Sequence, residues 1–290
     1  MRLHALGLIA LVLTFTPRGS GQAPAAPALP AAIERIADGI ELRRMDDPSM
    51  LSPEGPVAVQ ALRVDPKKVT LELAVAADKL PARETVQDIS ARHAAIAAVN
   101  AGFFALEDGR PAGLLKVRGQ LLGAASRARG AVAFRERRGE TLLLFDRVTV
   151  ERQARQYRTL LGSRPQDWSR AGHAVGGAGL LLLNDRLLDE WSDERIAAGF
   201  DTTRHPRTMI GEDGQSIWLI TIDGRQPALS LGMTFTELQG LAKRLGLRSA
   251  LNLDGGGSTT MVVKGAVVNH PSDAAGPRQV SDAIVVLPRR

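Results

Sequence analysis

Apolar and polar positions alternate in short runs along most of this chain, a period of two that predicts strands more often than helices. Ile33 to Met45, Pro56 to Val64 and Val69 to Ala76 read as strands, the last two meeting at a turn, Asp65-Pro66-Lys67-Lys68. Glu84 to Ala94 reads as a helix, and Ala95 to Val99 as a short strand feeding Asn100-Ala101-Gly102-Phe103-Phe104. Leu114 to Leu122 predicts a hairpin turned at Arg118-Gly119, and Ala131 to Arg135 with Thr141 to Val148 another around Arg138-Gly139. Ala174 to Leu188 is a glycine-rich entry into a strand pair turned at Asn184-Asp185. The clearest hairpin is Thr208 to Ile222, with Asp213-Gly214 at its tip, the pair that type I′ turns prefer.

Thr234 followed by Glu237 is a capping box, starting a helix that runs to Leu245 and stops at Gly246. Leu251 to Asp254, Thr260 to Val263, Ala266 to Val268 and Val280 to Leu287 close the chain as strands. Glu151 to Ala171 is polar and Arg-rich and follows neither period; a helix or an ordered surface excursion is expected there. No repeat or internal linker divides the chain. The fold class expected is α+β: one domain over residues 33–290, a central mixed sheet flanked by helices, with one β-α-β unit leading into a glycine loop.

Residues 1–23 stand apart. A short basic start, an apolar run from Leu6 to Phe15 too short to span a bilayer, and Gly21-Gln22-Ala23 read as a secretory signal cleaved near Ala23. Residues 24–32 are Ala/Pro-rich and are expected to be a flexible tail. The chain contains no cysteine, which excludes disulfides, a thiolate nucleophile, zinc–thiolate sites and a lipoprotein anchor. A bacterial periplasmic or secreted protein without a membrane anchor after cleavage is the expectation.

The formal charge is +6, and all but six of the 37 basic residues are Arg. Aromatics make up only 4%, and the densest basic stretch, Arg127 to Arg138, is diluted by Glu136 and apolar residues. With no nucleic-acid-binding signature, the expected partner is an anionic glycan or a phosphate-bearing substrate rather than nucleic acid.

The candidate chemistry centres on Leu251-Asn252-Leu253-Asp254-Gly255-Gly256-Gly257-Ser258-Thr259. An apolar strand delivers an acid at its end, then three glycines that let a ligand approach the main chain, then hydroxyls. If strands ending at Asp223 and Asp254 lie parallel across the helix between them, both acids face one cleft, as acid–base hydrolysis requires. Asp223-Gly224 reads equally well as a plain turn. Arg207, at the mouth of a strand after His205-Pro206, offers a fork for phosphate or carboxylate oxygens. Asn100 at a strand end either caps its loop or orients a sugar hydroxyl. Asn269, His270 and Asp273 with Asp254 would be the ligands of a divalent cation, although their spacing matches no metal motif. No cofactor is therefore expected.

Five segments in this order, Asn100–Phe104, Arg207–Gly211, Asp223–Arg225, Leu251–Thr259 and Asn269–Asp273, resemble the phosphodiester glycosidase family. The likeness runs from about residue 56 to 288 and is densest after Arg207. It implies removal of a sugar, GlcNAc-like in the family, from a sugar-1-phosphodiester, and its bacterial branch is associated with exopolysaccharide and wall glycans. It points to Asp254 and Asp223 as catalytic carboxylates. Asn100, Gly102, Arg207, Thr208, Gly255, Gly256, Gly257, Ser258, Thr259 and Asn269 become the substrate-binding set. Arg207 and the glycine-loop N–H groups would neutralise the phosphate in a backbone nest. Ala101 departs from the glycine usual in the family. Two rivals remain open: a non-catalytic anionic-polysaccharide-binding protein of the same fold, and a metal-dependent phosphodiesterase.

Overall fold

Strand alternation is converted here into three antiparallel sheets that share one core. A computed structural model describes residues 29–151, 153 and 156–289. The signal sequence expected over 1–23 and most of the 24–32 tail lie outside the described residues.

The largest sheet has eight strands, in the order Ala32–Ala37, Ile40–Met45, Val59–Val64, Ile217–Ile222, Arg207–Glu212, Ser249–Asn252, Leu180–Leu183 and Arg186–Leu187. The second runs Gln156–Thr159, Glu140–Glu151, Arg129–Arg137, His173–Gly176, Leu115–Val117 and Gln120–Gly123. The third runs Ala266–Val267, Met261–Val263, Ala97–Asn100, Asp282–Pro288 and Val69–Val75. Alternation sorts each strand between two environments. Leu62, Leu219, Leu251, Val132, Phe134, Val99 and Ile284 meet in the shared core. Their neighbours face outward, and each outer face is covered by one helix. Leu238 and Leu241 of Phe235–Arg244 pack on Met209, Ile220 and Ala250 of the eight-stranded sheet. Trp168 of Pro165–Arg170 packs on Ala131, Ala133 and Ala174. Val86 and Ile89 of Val86–Arg92 pack on Ala98, Ala283 and Val285.

Helices and strands share the domain as the α+β assignment requires, with the balance toward strands. The central sheet is not mixed: each of its pairings is antiparallel, because Arg207–Glu212 lies between Ile217–Ile222 and Ser249–Asn252. Those two flanking strands are thereby parallel to one another, as the β-α-β reading requires. The helix between them starts at the Thr234–Glu237 capping box, and Gly246 follows it with φ +75°.

Other expectations shift in detail. Ile33 to Met45 is a hairpin, not one strand, turning at Gly39, where φ is +74°. The turn after Val64 carries the chain from the eight-stranded to the five-stranded sheet. The Asp213-Gly214 hairpin is not type I′, since only Gly214 has positive φ (+84°). Asp213 instead folds a longer loop, its carboxylate accepting from the Gln215 and Ser216 N–H groups and from Trp218 Nε1. Within Glu151 to Ala171, the described residues form the strand Gln156–Thr159 and the helix Pro165–Arg170.

The eight- and six-stranded sheets are tied by Glu194, which is fully buried. Its carboxylate accepts from the N–H groups of Gly130 (2.9 Å), Gly179 (2.8 Å) and Leu180 (3.0 Å) and from Arg147 Nε (3.2 Å). Removing one partner of such a cluster leaves buried donors and a buried guanidinium without acceptors. Glu194→Ala is therefore expected to cost about 3–5 kcal/mol in urea unfolding. A loss below about 1 kcal/mol would show that the sheets do not depend on this clasp.

Candidate active site

The strand Ser249–Asn252 ends two residues before Asp254, whose N–H donates to the Ala101 carbonyl (2.9 Å). Asn100 fixes that junction from inside, being 1% exposed. Its Nδ2 donates to the Asp254 carbonyl (2.7 Å), while its Oδ1 accepts from Thr208 Oγ1 (2.7 Å) and the Thr260 N–H (3.1 Å). Asn100 and Thr208 are thus part of the frame, and of the two expected uses of Asn100 the geometry selects the cap.

Four N–H groups of the glycine loop are already used inside the protein and do not form an anion nest. Gly255 N–H donates to Asp254 Oδ1 and Gly256 N–H to the Pro206 carbonyl, both at 2.9 Å. Those of Ser258 and Thr259 donate within the loop, to Gly255 and Gly256 carbonyls at 3.2 Å. The glycines serve close approach instead. Gly256 has φ +61°, and a Cβ there would stand 3.1 Å from Arg225 Nη2. A Cβ on Gly257 would come within 2.2 Å of Arg278 Nη2 and of Asp273 Oδ1. Two arginines, absent from the expected set, therefore flank the loop. Arg225 is exposed, and Arg278 is half-buried and held by Asp273 (2.8 and 3.1 Å).

Asp254 lies at the lip of this loop. Burial pushes its carboxyl up to about 7, and the nearby Asp282 charge adds to the rise. The Ser258 hydroxyl, the Gly255 N–H and the Arg278 charge oppose it. The Ser258 hydroxyl is buried and close to that carboxyl without the geometry of a full hydrogen bond; Thr259 Oγ1 is likewise buried without a partner among the described residues. Asp282, 1% exposed, accepts from the Gly102 N–H and Ser281 Oγ, both at 2.7 Å. Burial holds its carboxyl above the ordinary range as well. Gly102 is thus explained: a Cβ would sit 3.1 Å from Asp282 Oδ1.

The second acid beside Asp254 is therefore Asp282 and not Asp223. Asp223 does end its strand at the same sheet edge, but its side chain is fully buried and saturated. It accepts from Asn269 Nδ2 and the His270 N–H (2.9 Å each) and from His270 Nδ1 and Gln60 Nε2 (3.2 Å each). That makes Asp223 the orienting group behind the exposed His270. Asn269 is used in the same way: its Oδ1 accepts from the Met261 N–H and its Nδ2 also reaches the Thr259 carbonyl.

Arg207 is held largely by main-chain carbonyls. It is fully buried, and it donates to the carbonyls of Met233 (2.8 Å), Phe200 (2.6 Å) and Thr203 (2.9 Å). The guanidinium lies between the Phe200 and Phe235 rings, 4.6 and 4.8 Å from their centroids. Burial lowers it to about 9, the Arg225 charge acting in the same direction. It braces the loop Phe200–Arg204 behind the site through Nε and Nη2, while its Nη1 is buried without a partner among the described residues. Next to it, burial and then the Arg207 and Arg225 charges hold His205 below the ordinary histidine value.

The ligands of the metal alternative are not assembled. Asp273 is paired with Arg278 and His270 with Asp223. Among the described residues no group of three or more His, Asp or Glu side chains is placed to hold a metal ion. Of the residues missed, Asp282 carried a signal, an acid heading an apolar strand, and Arg225 stood in the Asp223–Arg225 segment; Arg278 carried none in so Arg-rich a chain.

A carboxyl raised from 3.8 to about 7 gives stability that is complete below about pH 4 and lost as pH rises through 7. Asp254→Asn removes that loss. The variant is expected to be more stable than the parent at pH 8, by on the order of 4 kcal/mol, and so to unfold at a higher temperature there, with no gain at pH 4. Equal melting of the two at pH 8 would show that Asp254 ionises without cost.

Comparison with known proteins places the chain in a family and a fold. The sequence pattern of the family described as phosphodiester glycosidase matches residues 93–287. The chain is 27% identical over 214 residues to mouse N-acetylglucosamine-1-phosphodiester alpha-N-acetylglucosaminidase, covering 70% of this chain and 40% of that protein. The bovine protein of the same name is 26% identical over 218 residues, covering 70% and 39%. The chain thus spans about two fifths of the length of these relatives. In fold it is similar to a hypothetical protein from Synechocystis, with a TM-score of 0.72 at 18% identity over 91% of this chain and 65% of that one. The zebrafish N-acetylglucosamine-1-phosphodiester alpha-N-acetylglucosaminidase catalytic domain, auto-inhibited by its pro-peptide, superposes with a TM-score of 0.65 at 21% identity over 92% of this chain and 85% of that one. With more than half of its length matched, the chain belongs to the phosphodiester glycosidase family.

Proposed function

We propose that this protein hydrolyses a sugar-1-phosphodiester, with Asp254 as the proton-holding group and Arg225 and Arg278 as the phosphate-facing charges. The observation that carries this reading is a carboxyl pushed up to about 7 at the lip of a loop flanked by two guanidinium groups. A phosphodiester brings one negative charge, which planar guanidinium forks match in shape and sign. A neutral Asp254 admits that anion without repulsion and holds a proton for the leaving oxygen. Water adds across the sugar–phosphate linkage, giving free sugar and a phosphomonoester; the proton that Asp254 gives up is replaced by one from water. Ser258, buried beside the carboxyl, is the nearest hydroxyl to steady it. His270, backed by Asp223, stands exposed on the rim.

The relatives' name supports N-acetylglucosamine as the first sugar to try. The basic start, apolar run and small residues of positions 1–23 and the lack of cysteine support export to the periplasm or beyond, where envelope and exopolysaccharide linkages of this kind are found. No metal takes part in this reading.

Purified protein is expected to release free sugar from a GlcNAc-1-phosphodiester, with kcat/KM falling as pH rises through about 7. Asp254→Asn should lower kcat by about 100-fold or more while changing KM less than about threefold. Asp282→Asn should move the alkaline limb to lower pH, because the charge that raises Asp254 is removed. Chelator should leave the rate unchanged. Sugar release that survives in Asp254→Asn would remove that residue from the mechanism, and loss in chelator would revive the metal reading.

A further inference from the structure

The basic stretch that sequence reading treats as diluted is sorted by the strand pleat. Along Arg129–Arg137, Val132 and Phe134 face the shared core, whereas Ala131 and Ala133 face outward under the helix Pro165–Arg170. Arg135 and Arg137 continue the outward row, and Glu136 points to the other side, where it meets Arg289 and Thr141. The helix adds Arg164 at its start and Arg170 at its end. Between strand and helix lies an open groove of 430 Å³ lined by Arg135, Arg137, Arg164, Gln166, Asp167 and Arg170.

Four guanidinium groups face one carboxylate there. Asp167 braces Arg135 and Arg164 (3.1 Å for the latter), so two forks are held in place before any ligand arrives. Arg137 and Arg170 are exposed and form no ion pair or hydrogen bond among the described residues. Glu140 stands opposite Arg137 in register without pairing with it. The groove is remote from Asp254. Gly130, whose carbonyl accepts from Gly177, marks the end of the strand near Asn252, and Arg135 and Arg137 lie five to seven residues beyond. At about 3.3 Å per residue that is roughly 20 Å.

We infer that this groove is a second anion-binding site that holds a distant phosphate of a polymeric substrate, a glycan with repeated phosphodiester links. The inference rests on the proposed hydrolysis for the identity of the polymer, and on the groove alone for its charge. Arginine forks suit phosphate oxygens, and the wall has no aromatic ring on which a nucleic-acid base would stack.

Inorganic polyphosphate is the probe, with neutral dextran and single-stranded DNA beside it, binding being followed in low and high salt. The full-length protein is expected to bind polyphosphate and not dextran. The double variant Arg137→Glu/Arg170→Glu, which disturbs no internal partner, should bind at least about tenfold more weakly and with a shallower salt dependence. Its hydrolysis of a small GlcNAc-1-phosphodiester should match the parent's. Unchanged polyphosphate binding in the double variant would overturn the site. So would tighter binding of DNA than of polyphosphate, or an equal loss of small-substrate hydrolysis. If the parent hydrolyses no diester yet the variant loses polyphosphate binding, the groove stands and the proposed reaction falls.

Discussion

One buried amide holds the centre of this fold. Asn100 ends a strand of the five-stranded sheet, yet its side chain bonds the Asp254 carbonyl and Thr208 of the eight-stranded sheet and the N–H of Thr260 after the glycine loop. An amide has donors and acceptors at fixed angles, and burial makes each unmade bond costly. The ends of strands from two sheets are thereby set by one side chain. Ala101, the next residue, completes the junction: its N–H donates to the Asp282 carbonyl and its own carbonyl accepts from Asp254 N–H. The two acids therefore flank one residue, and backbone bonds set their spacing.

That spacing has an electrostatic consequence. Burial raises both Asp254 and Asp282, and the charge of Asp282 raises Asp254 further. The Arg278 charge lowers Asp254, and it is partly neutralised by Asp273. Arg207 spends Nε and Nη2 on three carbonyls between two aromatic rings, while its Nη1 is buried without a partner among the described residues. The loop is left with a carboxyl that is easily protonated and with arginines at its rim, an arrangement suited to an anionic diester.

Much of this frame was legible in the chain. The capping box at Thr234, the hairpins at Arg118-Gly119 and Arg138-Gly139, and the parallel relation of the strands ending at Asp223 and Asp254 follow from local rules of period, capping and turn chemistry. The glycine loop stood out because an acid at a strand end before three glycines has few structural reasons to exist. Partners were not legible. Period two says that a strand has two faces, not which sheet it joins, so the antiparallel strand inserted between the two parallel ones left no trace. Nor does an Asp or Arg reveal how many donors or rings will surround it, which is why Asp223 and Arg207 looked like chemistry and Asp282 like part of a strand. Parity along residues 131–137 separates Arg135 and Arg137 from Glu136 in the sequence itself.

The roles of the buried acids follow from counting donors. Glu194 and Asp223 are each fully buried and each accept four hydrogen bonds, Glu194 with Arg147 among its donors and Asp223 with His270. A carboxylate so saturated is locked in position, and its neighbours are locked with it; it organises structure. Asp254 has one well-formed bond to its side chain, from the N–H of the very next residue. A second cation or two more N–H groups at that carboxyl would turn it into another clasp. The loop turns the N–H groups of Gly256, Ser258 and Thr259 toward its own carbonyls and that of Pro206, which keeps those donors away from Asp254. The residues that form the turn thus also hold the acid short of donors, and the raised carboxyl of Asp254 rests in part on what the loop withholds from it.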